Sequence, residues 1–298
     1  MIRTTSLFLA FSLAFPAATA SSPADSLDTV RTAAYSYSSG FHASLNLLNW
    51  NIDRGKNLPG IEEAMRQTKA DLCIFQEVDL GARRTHGEDI ARDLASTFAM
   101  NYAFAPEFQE LSQGTEAGAA YHGQAILTTF PILSSRLLRF RNQSGFWKPN
   151  ALMVSKLPLF QRREGGRIAQ VAELDNGGHK LVVYNLHLES RGDDELRGRQ
   201  IEEVLADTRQ YPADTPIVIA GDLNTFSGHS RVIERLNDAG YQSCFGQRHE
   251  RTHVLIGALD WVFLKGPLHS EDAHVIRDAH ASDHFPIALK VHFSLATT

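Results

Sequence analysis

The chain has 298 residues, of which 43% are hydrophobic, and its formal net charge at pH 7 is −5. No run of lysine or arginine is longer than two residues. This argues against a module that binds duplex DNA through a broad basic surface, but it leaves room for a nuclease with a local basic cleft. The two cysteines, Cys73 and Cys244, permit a disulfide outside the cytosol, although Cys73 also lies in an apolar run typical of a buried thiol.

The first residues have the composition of a secretory signal peptide. Arg3 supplies a short basic start, an apolar run covers residues 7–15, and Ala-Thr-Ala at 18–20 matches a small-residue cleavage site. The apolar run is too short for a membrane-spanning helix, which needs about 20 such residues, and no other run reaches that length. We therefore expect an exported protein, periplasmic or extracellular. The expected divisions are a signal peptide at 1–20, a loose lead-in at 21–42 and one domain at 43–294.

Short apolar runs alternate with amphipathic segments along the rest of the chain. In the first amphipathic segment, Ile61 and Met65 stand at helical spacing. Many strands with few, separated helices indicate two packed sheets with helices outside them, in one large α/β domain. The predicted strands are 44–52, 71–78, 123–133, 168–174, 180–190, 216–224, 258–266 and 285–293, and the predicted helices are 60–69, 88–98 and 193–210.

Polar side chains stand at the ends of nearly all these strands. Such a side chain beside a buried strand is costly unless it is paired or coordinated, and active sites gather where several strand ends converge. Carboxylate and amide oxygens suit Mg²⁺ or Mn²⁺ rather than zinc, and imidazoles can donate to a phosphate. The residues concerned are Asn51, Gln76, Glu77, His187, Asp222, Asn224, Asp260, Asp283 and His284.

Seven short motifs occur in the order seen in the endonuclease/exonuclease/phosphatase family, and together they resemble that family closely. They span about residues 43–294, and each is weak alone, but seven in order are specific. The resemblance implies an α/β four-layer sandwich, with two mixed β-sheets packed face to face and helices outside. It also implies metal-dependent hydrolysis of phosphate esters. The motifs are NWNI, QEVD, GQAILTTFPI, NLHLES, IAGDLNT, LDWVF and SDHFPI.

The resemblance implies a metal site for Mg²⁺ or Mn²⁺ built from three residues. Asn51 and Glu77 would lie at the metal, with Glu77 the principal ligand. Asp283 would supply a further carboxylate.

The resemblance also implies catalytic roles for five residues. His187 would contact the scissile phosphate, and Asp222 and Asn224 would orient or deprotonate the attacking water. Asp260 would hold the imidazole of His284, which stands at the phosphate. His187 and Asn224 are therefore the expected substrate-binding residues.

The sequence is compatible with several classes of function. A phosphodiesterase acting on nucleic acid or a phospholipid-type substrate is the first. A phosphomonoesterase of inositol-phosphate type and a non-catalytic binding protein that keeps the fold are the alternatives. Every core position of the motifs is filled, which favours an enzyme. We expect a monomer without a stable membrane span, whose partner is its phosphate-ester substrate.

A few polar residues near the motifs permit two interpretations. Arg83 and Arg84 follow the QEVD motif, where they could recognise a second anionic group or belong to a solvated loop. Isolated histidines such as His122, His253 and His280 are more typical of a structural role. Among them His122 directly precedes a motif and is the best candidate for lining a cleft.

Overall fold

The computed structural model describes residues 27–37, 40–147, 163–226 and 229–294, so the predicted signal peptide lies outside the described residues. The strands are β1 (Arg31–Ala33), β2 (Ser44–Arg54), β3 (Leu72–Leu80), β4 (Asn101–Glu110), β5 (Tyr121–Thr128), β6 (Ile132–Arg139), β7 (Arg163–Gly165), β8 (Ile168–Asn176), β9 (His179–His187), β10 (Ile217–Asp222), β11 (Gln242–Ser243), β12 (Asp260–Lys265), β13 (Leu268–Val275) and β14 (Ile287–Phe293). The helices are α1 (Leu58–Thr68), α2 (Ile90–Thr97), α3 (Asp194–Thr208) and α4 (Arg231–Asp238), with a 3₁₀ turn at Arg83–Thr85.

The described strands form two mixed sheets. The larger has the order β1-β4-β5-β3-β2-β14-β13, with β7 also paired to β4, and the smaller has the order β11-β12-β10-β9-β8-β6. The pairs β2/β3 and β9/β10 are parallel. Each sheet therefore contains one parallel pair, and the neighbours of these pairs run in the opposite direction.

Three apolar clusters hold four layers together. Between the sheets, side chains such as Ile74 on β3 and Val183 on β9 pack against each other. Helices α1 and α2 cover the outer face of the larger sheet with residues such as Leu94. Helices α3 and α4 cover the smaller sheet with residues such as Ile201. The predicted four-layer sandwich is confirmed. In the described part of the chain, no helix is long and apolar enough to cross a membrane.

The predicted strand at 123–133 proved to be two strands. It divides into β5 in the larger sheet and β6 in the smaller sheet, because Pro131 lacks the N–H that a continuous ladder requires.

Strand β4 was not predicted. It contains Pro106 and two glutamates, which argue against a buried strand. The chain accommodates Pro106 at a register shift against β5, which is where a strand tolerates proline. Strands β1, β7, β11 and β13 and helix α4 were also absent from the prediction.

Part of the segment predicted as a loose lead-in is ordered. Strand β1 pairs with β4 along Arg31–Ala33. The backbone N–H groups of Tyr35 and Ser36 both donate to Oδ1 of Asn101 at 2.9 Å. These bonds tie the lead-in to the edge of the larger sheet.

The two cysteines are free and buried. Cys73 belongs to the cluster under α1 and α2, whereas Cys244 belongs to the core between the sheets. The two thiols therefore lie on opposite faces of the larger sheet, and the buried free thiol is the correct interpretation of both.

Candidate active site

The register of the smaller sheet brings three predicted residues side by side. Asp222 ends β10 and pairs with His187, the last residue of β9, on one side. On its other side it pairs with Asp260, the first residue of β12. Residues directly opposite in neighbouring strands point to the same face of a sheet. All three side chains are buried, so the site is built into the sheet edge rather than onto a loop.

The Asp222 carboxylate is the meeting point of the two sheets. Its Oδ2 accepts from Nδ2 of Asn51 on β2 at 3.1 Å and lies 3.6 Å from Nε2 of His187 and 3.8 Å from Nε2 of His284. Burial, together with the negative charge of Asp260, raises the pKa of Asp222 to about 7. Asp222 is therefore a stronger base than an ordinary aspartate.

Asn224 fixes the orientation of Asp222. Its backbone N–H donates to Oδ1 of Asp222 at 2.9 Å, and its Nδ2 donates to the carbonyl of Leu188 at 3.0 Å. Asn224 has a φ of 49°, a left-handed conformation that asparagine tolerates better than most residues. The sharp turn after β10 thus depends on the residue type that the sequence places there.

The hydrogen bond expected between Asp260 and His284 is present. Nδ1 of His284 lies 2.7 Å from Oδ2 of Asp260. Burial disfavours the imidazolium, but the charge of Asp260 and this hydrogen bond outweigh it and raise the pKa of His284 to about 10. The backbone of His284 is held by Trp50, whose Nε1 donates to its carbonyl at 2.8 Å, and by Ser282, whose Oγ accepts from its N–H at 3.1 Å.

His187 is backed by a buried charged pair that the sequence did not reveal. Its Nδ1 lies 3.7 Å from Oε2 of Glu107 on β4, and Nη1 of Arg167 donates to Oε1 of Glu107 at 2.8 Å. Burial and the positive charge of Arg167 hold the pKa of His187 well below its usual range. The ring is therefore neutral at pH 7. A single acid inside the apolar stretch around Glu107 was the available signal.

Glu77 reaches the same edge from the larger sheet. It has a φ of 53° and lies at a register shift between β3 and β5, so the backbone turns its side chain toward the strand ends. Nδ2 of Asn51 is 3.5 Å from Oε1, and Nη2 of Arg54 is 3.6 Å from Oε2. Burial opposes ionisation, but the charges of His122 and Arg54 hold the pKa of Glu77 well below its usual range.

His122 lies behind Glu77 and is oriented by a second carboxylate. Its Nδ1 is 2.9 Å from Oδ1 of Asp79, and its Nε2 is 4.0 Å from Oε2 of Glu77. Arg84 donates to both oxygens of Asp79, at 2.6 and 2.8 Å. The Arg84 side chain is therefore engaged in an internal ion pair, and Arg83 donates to the carbonyl of Ser112.

The donor set around Glu77 fits a hard divalent cation. The ionised Glu77 carboxylate offers oxygen ligands, and Asn51 adds an amide oxygen, Oδ1, which here accepts from the N–H of Asp53 at 3.2 Å while Nδ2 faces Glu77. No thiol is among these groups. Asp283 has a different setting from the other two predicted metal residues. Its side chain is 58% exposed, and its Oδ2 lies 3.7 Å from Nε2 of His253. The structure thus brings Asn51 and Glu77 together and places Asp283 at the rim.

Two groups of side chains in the described residues have ligand atoms within 4.8 Å of one another. Both groups include His284. Because Nδ1 of His284 is bonded to Asp260, only its Nε2 remains available. The groups are His253 with Asp283 and His284, and Asp222 with Asp260 and His284.

The model of the Endonuclease/Exonuclease/phosphatase family matches residues 48–284. The chain belongs to this family. Its members are in general metal-dependent hydrolytic phosphoesterases, and the matched range contains every residue of the site described above. Comparison with curated protein sequences gave no match.

Solved structures of the family share the fold at low sequence identity. An endonuclease/exonuclease/phosphatase from Beutenbergia cavernae DSM 12333 has 18% identity and a TM-score of 0.65, over 85% of this chain and 72% of that one. The human Nocturnin catalytic domain with bound sulfate anion has 18% identity and a TM-score of 0.61, over 85% and 96%. Humanized D. rerio TDP2 has 18% identity and a TM-score of 0.57, over 84% and 100%. At this identity the likeness establishes the fold alone.

Proposed function

We propose that the chain is a divalent-metal-dependent hydrolase of phosphate esters, acting as a monomer and with a phosphodiester as its substrate. The observation that carries this proposal is the setting of Asp222. It is a buried carboxylate whose pKa is raised to about 7, and the two imidazoles lie within 3.8 Å of its Oδ2. A base poised near neutral pH beside hydrogen-bond donors suits attack of water on phosphorus.

In this mechanism the ionised Asp222 takes a proton from the attacking water. Asn224 keeps the Asp222 carboxylate in place through its backbone N–H. His284 carries a positive charge and donates from Nε2 to a phosphate oxygen, while Asp260 holds its Nδ1. His187 is neutral and donates to the same phosphate without adding charge. The two imidazoles therefore stabilise negative charge as it develops on the phosphate.

Mg²⁺ or Mn²⁺, held by Glu77 and Asn51 with Asp283 as the further group that the resemblance implies, would polarise the phosphoryl oxygen and neutralise charge. Arg54 lies beside Glu77 and keeps its carboxylate ionised. The Glu77 carboxylate is therefore ionised at neutral pH, which is the form that binds a divalent cation.

A substrate panel tests the proposed function. The purified protein is assayed on bis(4-nitrophenyl) phosphate, plasmid, RNA, sphingomyelin vesicles and inositol phosphates, with Mg²⁺ and with a chelator. We expect metal-dependent hydrolysis that is lost in His284→Ala. A folded wild-type protein that hydrolyses none of these with Mg²⁺ or Mn²⁺ would favour the non-catalytic binding protein. Preference for inositol phosphates would favour the phosphomonoesterase.

An apolar rim beside the site supports a phospholipid-type substrate over nucleic acid. Leu255 is 87% exposed and Phe226 is 58% exposed, with Val254 and Ile256 also exposed. The rim, which consists of these four residues, follows directly on His253 and Asn224-Thr225 in the chain. Exposed apolar groups rarely cluster without a partner, and the net charge of −5 gives no general attraction for a polyanion.

A single substitution separates these two substrate classes. We expect Leu255→Ser to lower hydrolysis of sphingomyelin in vesicles while turnover of bis(4-nitrophenyl) phosphate stays unchanged. Leu133→Ser is the matched control, because Leu133 is an exposed leucine on β6. Equal vesicle activity of Leu255→Ser and wild type, or a preference of the wild type for plasmid, would reject the lipid-type substrate.

We also propose that the protein is exported to the periplasm or outside the cell. The support is the basic start, apolar run and Ala-Thr-Ala site within residues 1–20. N-terminal sequencing of the protein from a cell fractionation should find Ser21 first. An intact Met1 in the cytoplasmic fraction would contradict export.

A further inference from the structure

His253 is a histidine at the mouth of the site that the mechanism above does not use. It forms an isolated β-bridge with His284, and the two rings meet at 90° with centroids 4.8 Å apart. Its side chain is 11% exposed, so a small part of the ring reaches the surface. The ring is therefore a direct neighbour of the catalytic imidazole.

The hydrogen bonds of His253 determine where its proton lies. Nδ1 accepts from the backbone N–H of Leu255 at 3.0 Å and of Ile256 at 3.1 Å. Backbone N–H groups only donate, so Nδ1 must present a lone pair. In a neutral imidazole the hydrogen then sits on Nε2. An imidazolium would carry a hydrogen on Nδ1 as well, so these two hydrogen bonds also require the ring to be neutral.

This tautomer excludes His253 as a metal ligand in the group with Asp283 and His284. A metal on Nε2 needs a lone pair there, which would move the hydrogen to Nδ1 and point it at two N–H donors. Nε2 instead presents an N–H, and Oδ2 of Asp283 lies 3.7 Å from it. That distance is too long for a hydrogen bond. Among the described residues, the Nε2–H therefore has no acceptor within hydrogen-bond distance, and it lies beside His284 at the proposed phosphate site.

We propose that His253 is a further substrate-contacting residue, whose Nε2–H donates to a non-bridging oxygen of the bound phosphate. The inference rests on the proposed function. His253 and His284 would contact the phosphate in different protonation states. His284 brings a charge, while His253 brings a fixed neutral donor that neither gains nor loses a proton in the reaction. Nδ1 also accepts from the turn that carries Leu255 and Ile256 of the apolar rim, so one ring connects this part of the rim to the phosphate.

Two substitutions distinguish the role of the Nε2–H donor of His253 from the role of Nδ1, which accepts from the following turn and caps it. In His253→Asn, Oδ1 takes the place of Nδ1 and can accept from the two following N–H groups, as asparagine does in turns, but the Nε2–H is gone. In His253→Gln, the longer amide can place an N–H near the former Nε2, but it loses the cap. We expect His253→Asn to keep its Tm within about 1 °C and to lose about ten- to a hundredfold in kcat/KM. His253→Gln should have a lower Tm and retain more activity than His253→Asn.

Binding of inorganic phosphate gives a readout that a purely structural role would not move. Its inhibition constant should rise by about tenfold in His253→Asn. Long-range ¹H–¹⁵N spectra of the wild type should show His253 protonated on Nε2, with this signal shifting when phosphate is added.

The outcomes distinguish this inference from the proposed function. If the wild type hydrolyses phosphodiesters but His253→Asn has wild-type kcat/KM and phosphate inhibition, the inference alone is overturned. Losses in both variants that simply follow their Tm values would likewise show a structural role. A wild type that is inactive on every substrate, without response to phosphate, would overturn the proposed function and this inference with it.

Discussion

The charge on His284 depends chiefly on Asp260, with smaller contributions from Asp222 and Asp283. The pKa of His284 in the folded protein is about 10, above the value of about 6.5 for a free histidine. The protonated form is therefore the stable one in the fold. Its contribution to stability is fully present below about pH 6.5 and is lost as the pH rises toward 10. The same proton is needed for donation from Nε2.

Asp260→Asn should therefore move the alkaline limit of activity to lower pH. The substitution removes the negative charge that raises the pKa of His284 and can also reverse the tautomer. The measurement is kcat/KM against pH, from about pH 6 to 11, for wild type and variant.

A double mutant checks that the two residues act as one unit. The combination with His284→Ala should be little worse than His284→Ala alone. An unchanged alkaline limit, or fully multiplicative losses, would show that Asp260 and His284 act independently.

Glu77→Gln tests the metal site, because it keeps the size of the side chain and removes its charge. Activity should fall at least about a hundredfold, on the order of 3 kcal/mol of transition-state stabilisation. Mg²⁺ affinity measured by calorimetry should fall with it. Glu63→Gln on α1 is the control, because it removes the same charge from an exposed glutamate. Near-normal turnover of Glu77→Gln at modest Mg²⁺ would reject Glu77 as the principal ligand.

The sequence predicted the residues at the strand ends but not those behind them. Asp222 and His284 stand beside apolar runs, where a polar side chain is conspicuous. Glu107 and Arg167 are 60 residues apart and meet only when β4 lies next to the start of β8. The local sequence shows the acid in β4 but not the partner that pairs with it. For His253, its hydrogen bonds with the following turn, which only the fold reveals, decide which nitrogen carries the proton.

At the scale of elements, a buried polar layer connects the two sheets beneath the site. Nε2 of Gln76 on β3 donates to Oδ1 of Asn185 on β9 at 2.8 Å. Nδ2 of Asn185 lies 2.9 Å from the carbonyl of Phe75 and 3.1 Å from that of Ala125. The layer fixes how β9, which ends in His187, lies against the strand that carries Glu77.

Asn185→Leu should destabilise the fold, because it leaves the amide of Gln76 without this acceptor in the core. We expect a loss of about 2–4 kcal/mol in the free energy of unfolding, measured by urea denaturation. Asn237→Leu, at an exposed position on α4, is the control and should change the free energy by less than about 0.5 kcal/mol. Equal stability of Asn185→Leu and wild type would show that the layer contributes specificity rather than stability.

Element boundaries followed from periodicity where each strand was uniformly apolar. They failed where the chain changed sheets, as at Pro131, and where buried acids interrupted the pattern, as at Glu107 in β4. In both places tertiary contacts decide the structure. Glu107 is tolerated because Arg167 pairs with it, and a window of a few residues contains no trace of that partner.

At the scale of the whole molecule, the layers divide the core into separate compartments. The alternation of strands and helices predicted the layers, since each amphipathic helix must cover one sheet face. The strand order could not be predicted in the same way, because it depends on long-range pairing such as that of β14 with β2. This pairing brings His284, near the end of the chain, to Trp50 in β2, whose Nε1 donates to the His284 carbonyl.

The two cysteines report on the integrity of these compartments. Both thiols are buried and free, and burial raises the pKa of Cys244 to about 12 and that of Cys73 well above its usual range. A buried, protonated thiol reacts slowly with disulfide reagents.

We expect neither cysteine to react with 5,5′-dithiobis(2-nitrobenzoic acid) in the native protein. Two thiols per chain should react after denaturation without reductant, and reductant should leave the Tm unchanged. Ser96→Cys, at an exposed position on α2, is the positive control and should react at once. Absence of reactive thiols in the denatured, unreduced protein would show a disulfide, and the separation of the two cysteines by the larger sheet would then be wrong.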